Sequence, residues 1–126
     1  MRSFTNANPR DMRQAAKLSQ QARTEGRKAA FAGGGSDMLG LIKERIATPD
    51  VLVHLKGIQG SNQVEAKSGG TAIGGQITLS ALSRHASIRQ RYAVLAEAAE
   101  SVATPQIRNA GTLAGNVCQR PWCWYF

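Results

Sequence analysis

Several things are scarce in this chain, and each scarcity removes a class of function. Only two cysteines occur in 126 residues, Cys118 and Cys123, so the chain alone cannot complete a four-thiolate metal site. Aromatics make up 6% and are missing from the middle as a basic-aromatic interleave, which argues against an RNA-reading sheet. No apolar run approaches the ~20 residues of a membrane span. The first residues, Met1-Arg2-Ser3-Phe4-Thr5-Asn6, lack the apolar core of a secretory signal. No Gly-Lys-Ser or Gly-Lys-Thr is present, which excludes a Walker loop. A Gly-x-Gly-x-x-Gly starting at Gly33 needs glycine at the position held by Met38, which excludes a Rossmann fingerprint. No catalytic triad or carboxylate pair is evident, and His54 and His85 read as structural.

What remains is a globular composition, 42% hydrophobic and 19% charged, in a length that suits one modest domain. The net charge is +8, and the basic residues are spread along the chain with no arm-like run. Such a diffuse positive field favours anionic ligands in general. The expected compartment is the cytoplasm, or the periplasm if a partner carries its own export signal. Four of the aromatics, Trp122, Trp124, Tyr125 and Phe126, crowd the last five residues. Termini are usually exposed, so an end this aromatic predicts a chain that stops inside a domain.

Two glycine-rich segments dominate the reading. The first is Phe31-Ala32-Gly33-Gly34-Gly35-Ser36-Asp37-Met38; the second is Ile107-Arg108-Asn109-Ala110-Gly111-Thr112-Leu113-Ala114-Gly115-Asn116. Each sets bare backbone and small polar side chains beside an apolar segment. Backbone N–H groups in such a loop form an anion-holding nest, reinforced at a helix N-terminus. Ser36 adds a hydroxyl donor, while Asp37 either caps a helix or accepts from a ribose hydroxyl. Thr112 and Asn116 offer hydrogen bonds to a phosphate, a ribose or a polar ring edge. Arg108 reads either as a phosphate partner or as a solvated or salt-bridged residue. Each loop alone is also compatible with a plain tight turn.

The pattern around the loops predicts an α+β fold. Asn8-Pro9 opens a helix carrying Met12, Ala15, Ala16 and Ala22, which Gly26 stops. A short strand over 29–32 enters the first loop. A second helix, capped by Ser36 or Asp37, shows Met38, Leu39, Leu41, Ile42 and Ile46 and ends at Thr48-Pro49. Val51 to Leu55 is the next strand, so the order suggests parallel pairing with a crossover helix. Residues 63–67 and 71–74 flank Ser68-Gly69-Gly70 as a hairpin. Thr78 caps a short helix. A longer one runs from Tyr92 to Val102, with Leu95, Ala98, Ala99 and Val102 on one face. Pro105 then breaks the pattern before the second loop.

These loops, with Gly74-Gly75 followed by Thr78, resemble the FAD-binding subunit of molybdenum hydroxylases, the xanthine dehydrogenase and carbon monoxide dehydrogenase medium-subunit family. The ending Cys118-Gln119-Arg120-Pro121-Trp122-Cys123-Trp124-Tyr125-Phe126 looks most like the branch with an additional [4Fe–4S] cluster. The match runs from Phe4 through nearly the whole chain. It implies the two-subdomain flavin fold shared with vanillyl-alcohol oxidase and p-cresol methylhydroxylase, here truncated. Residues 1–56 would form a βαβ-like first subdomain and 57–126 an incomplete second one. By resemblance, Phe31, Ala32, Gly33, Gly34, Gly35, Ser36, Asp37 and Met38 wrap the FAD pyrophosphate. Gly111, Thr112, Gly115 and Asn116 line the same cofactor, and Cys123 is a cluster ligand. Ala114 departs from the pattern, since many relatives have glycine there.

The resemblance further implies a molybdopterin-binding large subunit and a [2Fe–2S] small subunit as partners, with neither nucleic acid nor membrane. Substrate would be oxidised at molybdenum in another subunit, and electrons would reach an acceptor through iron–sulfur centres and this flavin. The competing expectation is a non-catalytic basic module that holds a nucleotide or RNA.

Overall fold

The computed structural model describes residues 3–121, Cys123 and Tyr125. Trp122, Trp124 and Phe126, on which the expected apolar end chiefly rests, lie outside the described residues. The chain opens with a strand that periodicity does not reveal, β1 (Thr5–Ala7). Three residues are too few to show alternation. β1 is specified by its neighbour, pairing in parallel with β3 (Val51–His54) so that Thr5 faces Val51 and Ala7 faces Val53.

Helix α1 covers Met12–Thr24, so Asn8-Pro9 lies outside it and the expected start was too early. Asp11 is the cap: its backbone is extended and its side chain accepts from the N–H of Gln14 at 2.7 Å. Gln14 reaches back to accept from the N–H of Arg10 at 2.7 Å, a near-reciprocal capping pair. At the other end Gly26 takes φ +71°, the N–H of Arg27 donates to Ala22 and that of Gly26 to Arg23. This is a Schellman closure at the predicted glycine.

Strand β2 (Ala29–Ala32) also pairs in parallel with β3, giving the order β1-β3-β2. Ala15 and Ala22 bury the small face of α1 against Val51 and Val53, with Ile58 completing this cluster. Helix α2 (Met38–Lys43) bridges β2 and β3. It ends well before Thr48-Pro49, contrary to the expectation, because Arg45 takes φ +59° and closes it. The N–H of Ile46 donates to Leu41 and that of Arg45 to Ile42, again the Schellman pattern. Ile46 is therefore exposed and leaves the helix face to Ile42.

The second half begins with the expected hairpin, β4 (Val64–Lys67) antiparallel to β5 (Gly70–Ile73) across Ser68-Gly69, with Gly69 at φ +81°. Five helices follow. Thr78 caps α3 (Leu79–Arg84), accepting from the N–H of Ala81, as predicted. α4 (Ala86–Arg91) was not predicted; its single buried side chain, Ile88, gives no periodic signal. α5 (Ala93–Ser101) buries Ala96 and Ala99, so its inner face is turned away from the expected Ala98. A second apolar cluster joins Ile77, Leu79, Leu82, Ile88, Ala96 and Ala99.

The largest correction falls at the second glycine-rich segment. It is not a loop but two short helices, α6 (Pro105–Ala110) and α7 (Leu113–Cys118), kinked at Gly111-Thr112. Pro105 does not break structure; it occupies the first turn of α6 behind its cap, Thr104. That position has no intrahelical partner for an N–H, so proline loses nothing there.

Candidate cofactor-binding site

The first glycine segment leaves the end of β2 and enters α2. The second passes from α6 into α7. The two meet over a floor made by residues 74–79. The N–H of Leu79 donates to Gly111, that of Leu113 to Ile77 and that of Ala114 to Gly75. An isolated bridge joins Thr78 to Thr112. These bonds place the N-terminal ends of α3 and α7 side by side and fix the kink between α6 and α7.

Between the two segments lies a cavity of about 390 Å³. All twelve residues expected to touch a cofactor line it: Phe31 to Met38 on one side, Gly111, Thr112, Gly115 and Asn116 on the other. Cys118 lines its end, whereas Cys123 does not. Both cysteines are exposed free thiols, and no group of three or more metal-ligating side chains occurs among the described residues.

Glycine is required here partly for contact between the segments themselves. A Cβ on Gly34 would run into the carbonyl of Ala110. One on Gly33 would stand 2.6 Å from Thr112 Oγ1 and 2.9 Å from Gln76 Oε1. A Cβ on Gly115 would press on Thr112 Oγ1 at 2.9 Å. Gly35 is needed for its backbone instead, at φ +77°. The result is two backbones in direct contact, with small residues forming both lips of the cavity.

Main-chain donors add to the polar side chains of this lining. Among the described residues, the N–H groups of residues 33–38 make no hydrogen bond within the protein. Six successive unpaired amides in a glycine turn form a concave donor surface. Among the described residues, the only charged side chain lining the cavity is Asp37. It sits at the start of α2 but makes no capping bond, so the capping role open in the sequence is not taken.

Two of the expected side chains are committed to the protein. Thr112 is 1% exposed, and its Oγ1 accepts from the N–H of Gly115 as the cap of α7. Asn116 accepts from Gln119 Nε2 through Oδ1. Arg108 is absent from the cavity lining, and its Nη1 donates to the carbonyls of Val102 and Ala103, both at 2.9 Å. Those carbonyls belong to a turn in which Ala103 takes φ +44°, an uncommon conformation for a residue with a Cβ. Val102 and Ala103 both line the cavity, so Arg108 acts by holding its wall.

Gln76 is the residue that sequence reasoning missed. It lines the cavity, is 6% exposed, and its Oε1 is buried without a hydrogen-bond partner. A glutamine between Gly75 and Ile77 in an otherwise apolar turn was the available signal. The histidines lie outside the cavity lining; His85 Nδ1 contacts Ser87 Oγ at 3.1 Å, consistent with a structural role. Among the described residues no helix is long and apolar enough to cross a membrane.

Comparison with known proteins agrees with this geometry. A family model described as the FAD binding domain in molybdopterin dehydrogenase matches residues 2–121. The chain is 39% identical over 99 residues to the FAD-binding subunit of an aldehyde oxidoreductase from Escherichia coli, covering 78% of this chain and 31% of that protein. It is 30% identical over 117 residues to the FAD-subunit of nicotinate dehydrogenase from Eubacterium barkeri, covering 93% and 39%. Among solved structures, a carbon monoxide dehydrogenase from Hydrogenophaga pseudoflava superposes with a TM-score of 0.86 at 28% identity, covering 92% of this chain and 39% of the other. The chain thus spans between 31% and 39% of the length of these relatives.

Proposed function

The chain belongs to the family of FAD-binding domains of molybdopterin dehydrogenases, and from that premise we propose that the cavity between its two glycine segments is the FAD site. The observation that carries this reading is the row of unpaired amides at residues 33–38, facing Gly111 and Gly115 across one cavity. Their fit to a pyrophosphate is chemical. A phosphate accepts hydrogen bonds and carries negative charge, and the unpaired amides of this turn are donors. No cation is needed when successive N–H groups converge. A side chain at Gly33 would fill the cradle.

Phe31 and Ala32 bring the chain to the cradle, and Gly33 to Met38 form it. Asp37, free of a capping role, accepts from a sugar hydroxyl beside the pyrophosphate. Gly111, Gly115 and Asn116 form the opposite wall, with Thr112 holding its shape. When bound, FAD supplies reversible one- and two-electron chemistry, and the protein contributes binding and orientation. Consistent with that division of labour, we assign no catalytic acid or base.

The two apolar clusters support two subdomains, 1–56 and 57–126, with Ile58 reaching back to the first. In the assembled enzyme we place this domain beside a molybdopterin-bearing large subunit and a [2Fe–2S] small subunit, in the cytoplasm or, with an exported partner, the periplasm. The described residues do not hold a [4Fe–4S] cluster by themselves, since they supply two exposed thiols and no third ligand. Membership of the cluster-bearing branch therefore reduces to one statement: Cys123 donates a single thiolate to a cluster whose other ligands lie elsewhere.

The test is direct. Purified chain is mixed with FAD, freed of excess ligand by gel filtration, and its absorption spectrum recorded. Near-stoichiometric flavin that ADP displaces supports the site. A chain shown to be folded by circular dichroism that retains no flavin refutes FAD binding by this portion alone.

A further inference from the structure

We propose that Gln76 is a cofactor-reading residue: its side-chain carboxamide accepts a hydrogen bond from a sugar hydroxyl of the bound dinucleotide, next to the pyrophosphate cradle. The inference rests on the FAD reading above and adds to it a residue that neither glycine segment contains.

Three observations converge on it. First, Gln76 Oε1 is the one buried side-chain oxygen or nitrogen among the described residues that lacks a hydrogen-bond partner. A buried unpaired amide oxygen costs on the order of 1–3 kcal/mol, so the folded chain alone gives no reason for glutamine here. Second, the amide is beside the cradle. A Cβ built on Gly33 would stand 2.9 Å from Oε1 and 2.6 Å from Thr112 Oγ1. Third, the backbone of Gln76 is fixed. Its N–H donates to the carbonyl of Ser61 at 2.8 Å, and Gly74, two residues earlier, packs on Ser61 so closely that a Cβ would not fit.

The chemistry narrows the partner. Phosphate oxygens only accept, so they do not satisfy Oε1. The groups flanking a dinucleotide pyrophosphate are the ribityl chain and the ribose, and both carry hydroxyls that donate. The terminal torsion of glutamine is a broad, roughly two-fold rotor, so an arriving hydroxyl can draw the oxygen toward itself. The same turn swings the NH₂ group toward the place the oxygen leaves, near Gly33, which Thr112 Oγ1 also approaches. Thr112 Oγ1 already accepts from the N–H of Gly115 and has a second lone pair free. One rotation thus presents the oxygen to an arriving hydroxyl.

The proposal makes two readouts move in opposite directions. Gln76→Met keeps the length of the side chain and removes the stranded oxygen. In the ligand-free chain its melting temperature should hold or rise. Its FAD dissociation constant, from quenching of flavin fluorescence, should increase about 3- to 10-fold, the loss of one neutral hydrogen bond. Gln76→Leu should behave alike. An unchanged FAD affinity in Gln76→Met overturns the proposal. So does a fall in melting temperature parallel to the fall in affinity, which marks a purely structural amide. Failure of both variants to fold has the same meaning. If the folded wild-type chain itself retains no FAD, the parent reading falls and this one with it. Wild-type binding with an indifferent Gln76→Met sinks this proposal alone.

Discussion

Replacing Gly34 with alanine tests the contact on which the cavity depends. The added Cβ would fall onto the backbone carbonyl of Ala110, with Gly111 N close behind at 3.1 Å. Both are main-chain atoms, so no side-chain rotation relieves the overlap; one whole segment must retreat. Gly111 is in turn tied to Leu79 through its carbonyl, and Ala114 to Gly75 through its N–H. Retreat therefore strains the floor of the site as well. Overpacking of this kind costs about 1–3 kcal/mol, and rigid backbone on both sides points to the upper end. For a domain of this size that corresponds to a loss of roughly 8–15 °C in melting temperature, at a few degrees per kcal/mol. Gly40→Ala is the control. Gly40 lies in α2 with nothing within 4 Å of its would-be Cβ. Alanine there should stabilise by about 0.5–1 kcal/mol. The assay is thermal unfolding followed by circular dichroism, with FAD retention measured in parallel. Gly34→Ala melting within two or three degrees of the wild type, or below Gly40→Ala by no more than helix propensity explains, would refute the close-approach argument.

Arg108→Met removes the donor to both carbonyls of the Val102-Ala103 turn and should cost about 1.5–3 kcal/mol, with weaker FAD retention as the wall relaxes; denaturant unfolding and flavin titration measure both. Arg108→Lys, a point donor in place of a planar fork, should recover only part of either. Arg45→Gly should stabilise the chain by about 0.5–1 kcal/mol, since Arg45 holds φ +59° where glycine has no Cβ penalty; an unchanged or lower melting temperature contradicts the Schellman account of the α2 terminus. Lys67, bonding and facing Glu65 on the same strand, holds the Glu65 carboxyl below its ordinary value of 4.5. A depressed carboxyl contributes stability that is present above its unfolded pKa and lost as pH falls through the folded one. Because the pair is exposed, Glu65→Gln should leave the melting temperature at pH 7 essentially unchanged; any difference from the wild type should shrink as pH drops below 4.5.

The sequence by itself determined the parts whose cause is local. Gly26 stops α1, Thr78 caps α3, and the alternation around Ser68-Gly69 makes the hairpin, because caps, turns and periodicities are properties of a few neighbouring residues. The same locality made both glycine segments visible, and all of their twelve candidate residues line one cavity. Tertiary structure alone decided what those glycines touch. Gly34 is small because Ala110, 76 positions away, packs onto it, and no local pattern encodes such a meeting. It also decided β1, which is too short to signal itself and exists by pairing with β3. Pro105 reads as a breaker in the sequence, yet it sits in the first turn of α6, a helix packed against α3. Arg108 went to the carbonyls of the Val102-Ala103 turn, and Gln76 was left with a buried, unanswered oxygen. Chain neighbours set backbone conformation, but partners across space set what each polar group needs, and that need is where the function of this site is written.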